Sequence, residues 1–309
     1  MNGIINFNKP TGITSCKAIN LVKKALKIKK AGHTGTLDPN ANGVLPICLG
    51  NATKVVQYIV QLPKTYRGKM RLGIRTDTQD ADGKTIAKCA NFEINRGLIE
   101  DIFPKYTGAI EQIPPMYSAA RVNGQRLYTL ARKGITISRK SKKVFIYYLK
   151  LLDYHNDIVT FEAKTSAGTY IRTLCDDMGN ELGCGAHLAE LTRTRVGELK
   201  IEDSITLEEL KQDARENCFQ NKINSIDKTL SFLPYIEVNE ENENSVLTKM
   251  TIMEDSIKDI SKKINGEEYW RVRNSSGKLL GIATSLLDEN FAPSENNKYL
   301  RFKLKKLLV

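Results

Sequence analysis

Between Thr65 and Thr76 the chain alternates with a period of two. Tyr66, Gly68, Met70, Leu72 and Ile74 fall on one side, and Arg67, Lys69, Arg71, Gly73 and Arg75 on the other. Helical side chains return to one face every 3.6 residues, strand side chains every two, so only a strand gathers these apolar groups on one face. The segment therefore predicts a half-buried strand, apolar face inward and cationic face in water. Tyr66 opens the apolar face at the strand end. It is either a core tyrosine or a residue looking into a cleft there.

Other stretches frame this strand. Ile4 to Pro10 reads as a strand running into an Asn-Lys-Pro-Thr-Gly turn. Thr14 or Ser15 can cap a helix with Ile19, Leu21, Val22, Ala25 and Leu26 on its apolar side. Ala52 to Leu62 has helical spacing and is stopped by Pro63. Short helices are predicted over Arg96 to Phe103 and over Gln125 to Lys133, with Asn123-Gly124 as a turn before the second and Gly134 past its end. Strands follow near 144–153 and 157–166, then a helix from Thr169 to Leu182. A strand with Leu191, Arg193 and Arg195 comes next, and Thr206 to Glu209 fits a capping box opening a helix to about Asp213. Asp77, Asp80, Asp82 and Gly83 lack the first ligand and closing Glu of a calcium loop, and read as a turn.

Near Pro234 the character changes. Residues 239 to 244 are polar and acidic, either a surface turn of the last unit or a linker. Extended runs follow at 269–273, 279–283 and 299–304, the first two joined like a hairpin by Asn274 to Gly277, and a small β-barrel is the expected form. A chain of 309 residues suits one large domain or two. It has no apolar run near eighteen residues and no cationic start of a signal peptide. The six cysteines include no C-x-x-C pair, which suits small buried hydrophobes in a reducing cytoplasm. Cys175 and Cys184-Gly185-Ala186-His187 lack a fourth ligand at a usual metal spacing and are set aside as core.

The formal charge of +12 is unevenly placed. Residues 231–309 carry twelve basic and twelve acidic side chains, so residues 1–230 hold the whole excess at thirty-five against twenty-three. A basic body suits a polyanion such as nucleic acid. Within it, residues 32–50 pack four glycines and two prolines into a shaped loop followed by the apolar run Val44 to Leu49. Asp38 in that loop is the only acid between Met1 and Thr76, against thirteen Lys and Arg. An Asp before Pro commonly starts a turn. A carboxylate among cations also stays ionised, as a nucleophile or base requires. Both readings stand on the residues alone.

Gly32-His33-Thr34-Gly35-Thr36-Leu37-Asp38-Pro39, with Gly43 through Lys54, closely resembles the catalytic loop of the TruB family, bacterial tRNA pseudouridine synthases. The sequence departs at Asn40-Ala41-Asn42-Gly43, where the family more often has Leu-Ala-Thr-Gly, a change expected to alter the loop's edge only. Gly168-Thr169-Tyr170-Ile171-Arg172 resembles the family motif whose arginine pairs with the catalytic aspartate, and residues 115–134 resemble its RNA-gripping insertion. The likeness is strong over residues 3–230 and loose beyond. It implies an α+β pseudouridine-synthase fold: a central mixed, mostly antiparallel sheet flanked by helices, plus a small PUA-like C-terminal β-barrel. The implied domains are residues 1–232, with a basic insertion at about 115–143, and residues 233–309.

The resemblance implies that uridine 55 in the TΨC loop of tRNA is flipped out and isomerised to pseudouridine without cofactor or metal. Asp38 would start the reaction and Arg172 would pair with it, keeping it ionised and aimed. Tyr66 would stack on the uracil and move a proton late in the cycle. Tyr170 and Leu191 would line the pocket, and His33 would fill the gap left by the flipped nucleotide. His33 could equally bond its own loop backbone. Lys9 would be structural. The expected partner is the T-arm of tRNA, with a cytoplasmic monomer, no membrane and no obligatory protein partner. A binding-only tRNA-remodelling factor, or a synthase acting on other RNAs, are the alternatives.

Overall fold

The computed structural model describes residues 1–122, 124–261, 268–285 and 302–308. Its central sheet runs edge to edge through Ile223–Asn224, Gly3–Lys9, Asn42–Leu49, Ala186–Val196, Lys64–Leu72, Ile158–Thr165, Lys142–His155 and Gly108–Gln112. Adjacent strands on this path are antiparallel except Asn42–Leu49 beside Ala186–Val196, which meet in parallel at Asn42–Thr192 and Gly43–Arg193. This is the α+β, mixed and mostly antiparallel sheet that the family likeness implied.

The alternating segment behaves as its period demands. In Lys64–Leu72, Tyr66, Met70 and Leu72 are buried while Arg67, Lys69 and Arg71 are exposed. Gly68 belongs to the packed face because the Phe161 ring lies across it, and a Cβ there would sit 2.5 Å from Phe161 Cζ. The same apolar face of the sheet packs with buried residues of the helices Ser15–Ala25, Arg96–Ile102, Ile171–Glu181 and Leu207–Arg215.

Several elements differ from expectation. The strand predicted over 65–76 breaks at Gly73, whose φ of +79° turns the chain so that Ile74–Thr76 pairs with Thr85–Lys88 instead. The helix expected from Ala52 to Leu62 is a 3₁₀ segment, Gly50–Val55, followed by one α turn, Val56–Ile59. The helix expected over Gln125 to Lys133 shortens to Leu127–Ala131, because Gln125–Arg126 pairs with Arg121–Val122; Asn123 lies outside the described residues. Cys48, Cys175 and Cys184 are buried as expected, but Cys16 and Cys218 are exposed.

A second sheet occupies the C-terminal part, in the order Thr251–Ile252, Phe302–Leu307, Leu279–Ser285, Tyr269–Asn274, Tyr235–Val238, Ile257–Ile260. This curled sheet stands where the small β-barrel was expected. The Asn274 to Gly277 turn joins its two middle strands, with Gly277 at φ +78°. The acidic stretch at 239–244 is no linker: it forms a turn and the start of the helix Glu243–Lys249 within this sheet's connections. The described part of the third extended run is the strand Phe302–Leu307, and Tyr299, Leu300 and Arg301 lie outside the described residues.

The two sheets share a seam. Ile4, Cys48, Val55 and Ile59 from one side cluster with Ile282 and Leu308 from the other, together with Leu230 and Leu233 of the segment that connects them. Asp227 accepts from Arg271 at 3.1 Å and from Arg273 Nε at 3.0 Å, closing the polar edge of the seam.

Candidate active site

The 32–39 loop is held from three sides before any ligand enters. Ser15 Oγ, fully buried at the start of its helix, accepts from Leu37 N–H at 2.9 Å and donates to Leu37 O at 3.0 Å. Leu37 itself is buried in the main core. Lys9 Nζ donates to the carbonyls of Pro10, Ile13 and Pro39 at 2.7 to 3.1 Å. The turn expected of Asp-Pro also forms, through Ala41 N–H and Asp38 O at 3.1 Å. The backbone of Asp38 makes the turn, and this leaves its side chain free. The two readings of Asp38 are therefore compatible.

The Asp38 carboxylate faces Arg172. Arg172 Nη2 lies 3.1 Å from Asp38 Oδ2 and 3.3 Å from Oδ1, and also donates to Tyr117 O at 2.9 Å. Arg172 Nη1 donates to Asp80 Oδ2 at 3.1 Å. The arginine side chain is only 7% exposed, whereas Asp38 keeps 45% of its side chain open to solvent. One guanidinium thus aims an accessible carboxylate while its other nitrogen is anchored on a second acid. Arg172 sits in the first turn of its helix, where the dipole offers a cation nothing, and the two carboxylates supply what the helix does not.

Asp80 was missed by sequence reasoning, which took residues 77–83 as a turn alone. The break at Gly73 folds that turn back over the helix Ile171–Glu181. Gln79 accepts from Thr173 at 2.9 Å, Arg75 Nε donates to Asp176 at 2.8 Å, and Thr78 Oγ1 donates to Asp80 Oδ1 at 2.5 Å. The available signal was the density of acids at Asp77, Asp80 and Asp82 in an otherwise basic half.

Burial is the largest influence on Asp38 and moves its pKa above the ordinary carboxylate value. Arg172 and Lys9 pull it back down, while Asp80 and Asp82 push it up. Asp38 is thereby a more basic carboxylate than one in water. Lys9 is lowered to about 8, chiefly by burial. His33 is lowered by burial and then by Arg193, which favours a neutral ring, and its Nδ1 accepts Gly35 N–H at 3.2 Å.

Tyr66 and Leu191 lie on the same face of adjacent strands, with Arg193 opposite Tyr66 and Leu191 opposite Gly68. Tyr66 is buried and Leu191 partly so. Arg193, also absent from the sequence expectations as a site residue, is 1% exposed, sits opposite Tyr66 in the strand register, and donates to Val44 O at 2.7 Å and Gly35 O at 3.0 Å. Tyr170 caps the Arg172 helix, its N–H and C=O both held by the Gln112 amide at 3.0 and 3.2 Å. The departure at Asn40 has a local use: its amide donates to Asp82 and ties the loop's edge to the acidic turn. Asp38 and Arg172 are thus brought together directly, with Tyr170 at the start of the helix that carries Arg172. Tyr66 lies opposite Arg193 on the neighbouring strand.

Comparison with known proteins follows the same lines. Residues 23–171 match the family model for the TruB family pseudouridylate synthase N-terminal domain, and residues 172–231 match that of the tRNA pseudouridylate synthase B C-terminal domain. The chain is 42% identical to the tRNA pseudouridine synthase B of Clostridium kluyveri over 309 residues, covering all of both chains. It is 47% identical to that of Clostridium tetani over 240 residues, 78% of this chain and 82% of the relative. A solved Cbf5–Nop10–Gar1 complex superposes with a TM-score of 0.78 at 26% identity, covering 99% of this chain and 85% of the other. Among the described residues no helix is long and apolar enough to cross a membrane. On the strength of the matched domains and full-length relatives, the chain belongs to the TruB family of tRNA pseudouridine synthases.

Proposed function

We propose that this enzyme converts uridine 55 in the TΨC loop of tRNA to pseudouridine, with Asp38 as the catalytic carboxylate. The observation that carries this is Asp38 itself: part-open to solvent, 3.1 Å from a buried Arg172, in a basic body. Chemistry at a stacked base requires the nucleotide to leave its stack, and cationic surroundings draw in the phosphate backbone. The eight Lys and Arg within residues 121–143 are the grip on the T-arm. Residues 1–232 form the catalytic unit and residues 233–309 a PUA-like unit. The enzyme works as a cytoplasmic monomer without a protein partner.

In the reaction the glycosidic bond breaks, the uracil turns in place, and its C5 joins C1′ of the same ribose. Asp38 initiates it, its basicity raised by burial and its direction fixed by Arg172. Tyr66 stacks on the uracil, Tyr170 and Leu191 line its pocket, and the neutral, flat His33 ring takes the place of the flipped base. T-arm RNA treated with wild type and with Asp38→Asn, then mapped for pseudouridine, tests this. Product at uridine 55 from the wild type alone, with RNA binding retained by the variant, supports the proposal. Turnover by Asp38→Asn, or product at another uridine, overturns it.

A further inference from the structure

Ile146 is buried in the main core, and a strand of period two would send Tyr148 inward beside it. A β-bulge between Ile146 and Tyr148 breaks that alternation. Ile146 stands opposite Thr165 and Tyr148 opposite Lys164, so Tyr147 is the extra residue. A bulge re-aims side chains, and here Tyr147 and Tyr148 both join Phe145 on the outer face of the sheet. Phe145 and Tyr147 are 44% and 46% exposed, and their ring centroids lie 5.1 Å apart. Single exposed apolar side chains are ordinary, whereas a pair of rings held in water by a strand irregularity calls for a reason.

Cations surround these rings. Lys164 Nζ lies 5.5 Å from the Tyr147 ring centroid, and Lys150 Nζ 5.1 Å from that of Tyr148. Beyond the intervening strand, Arg67 and Arg71 are exposed on the same face, about 10 Å from the aromatic strand at the usual strand spacing. Of the acids among them, Glu162 accepts from Tyr148 at 2.9 Å and Glu190 pairs with Lys69 at 2.9 Å. Among the described residues Arg67, Arg71, Lys150 and Lys164 form no ion pair, so the face keeps a cationic excess. Tyr66 and the helix that carries Arg172 pack on the opposite face. An open sheet face with rings flanked by cations suits unpaired RNA, in which each base offers a flat face and each linkage a charge. A duplex keeps its bases stacked inward and offers phosphate alone. We infer that this outer face is a second RNA site, separate from the catalytic cleft, where bases of unpaired nucleotides stack on Phe145 and Tyr147 while Lys150, Lys164 and Arg67 meet the phosphates.

Fluorescence anisotropy of a labelled short oligoadenylate tests this, because RNA without uridine cannot be turned over. Wild type is expected to bind it with the catalytic cleft filled by equimolar T-arm RNA, and to bind it more tightly than an RNA duplex of the same length. Phe145→Ala combined with Tyr147→Ala should weaken binding by about 5- to 150-fold, the loss of one stacked base. Pseudouridine formation in T-arm RNA should stay within about twofold of wild type. Arg67→Gln combined with Lys164→Gln should flatten the salt dependence of oligoadenylate binding by about 0.7 for each phosphate no longer neutralised. Displacement by T-arm RNA, or an equal loss of T-arm turnover in the aromatic variant, would make the face part of the substrate cleft and overturn the inference. Equal affinity for the duplex, unchanged binding by the aromatic variant, or no binding at all would also overturn it. Should the aromatic variant melt early, the charge variant decides: an unchanged salt slope overturns the inference and a flatter one supports it.

Discussion

Replacing Asp80 by Asn tests whether the second acid on Arg172 matters to the first. The change keeps an oxygen near Arg172 Nη1 and removes the charge. The ion pair spans 3.1 Å between side chains 7% and 18% exposed. At the effective dielectric suited to such sites, unit charges about 4 Å apart interact by about 4 kcal/mol, a ceiling that desolvation reduces. The carboxamide still accepts from a charged guanidinium, so only the carboxylate's own charge is lost, and the expected cost is about 1–2 kcal/mol, well under that ceiling. Felt through Arg172 in the transition state, that is roughly a 5- to 30-fold slower single turnover. Asp80 also raises the pKa of Asp38, so its neutralisation should move the acid limb of the rate profile to lower pH. The assay is single-turnover pseudouridine formation across pH, with RNA affinity measured in parallel. A rate within about twofold of wild type, or an acid limb that stays or rises, would refute the reasoning.

Other outcomes follow from the same structure. Lys64 and Lys9 are both lowered to about 8 from 10.5 by burial. Between those pH values the folded chain releases protons that the unfolded chain still holds, so their contribution to stability is present above about 10.5 and lost as pH falls through 8. Lys64→Met should remove one of these two contributions, on the order of 3 kcal/mol, from the alkaline rise in the urea midpoint; an unchanged rise would contradict the burial argument. Asp227→Ala strands Arg271, 7% exposed, at the seam between the two sheets. The expected cost is about 3 kcal/mol, low in the range for a broken buried pair because Asp227 is partly exposed, read as a lower denaturation midpoint and earlier proteolysis near residue 230. Replacing Arg126, Arg132 and Lys133 by Gln should flatten the salt dependence of RNA binding by about 0.7–0.9 for each phosphate the insertion no longer neutralises; an unchanged slope would take the insertion off the RNA.

What the sequence determined lies within short reach along the chain. The period of two in Lys64–Leu72, the Thr206 capping box and the Asn274 to Gly277 turn are each set by neighbours a few residues apart, and each appears in the structure. The family motifs around Asp38 and Arg172 extended that reach across 134 positions and led to the pair the structure places together. Tertiary structure alone decided the rest. A single positive φ at Gly73 redirected an apparently continuous strand and carried Asp80 to Arg172, a pairing across 92 positions with no local pattern to announce it. Arg193 reads in sequence as one more cation of a basic body, and only the crossing of three segments makes it a buried donor. The upward shift of Asp38 belongs to the same class, because desolvation is set by atoms gathered from everywhere in the fold. Periodicity is a property of the chain, whereas dielectric surroundings and donor matching exist only once distant segments have packed together.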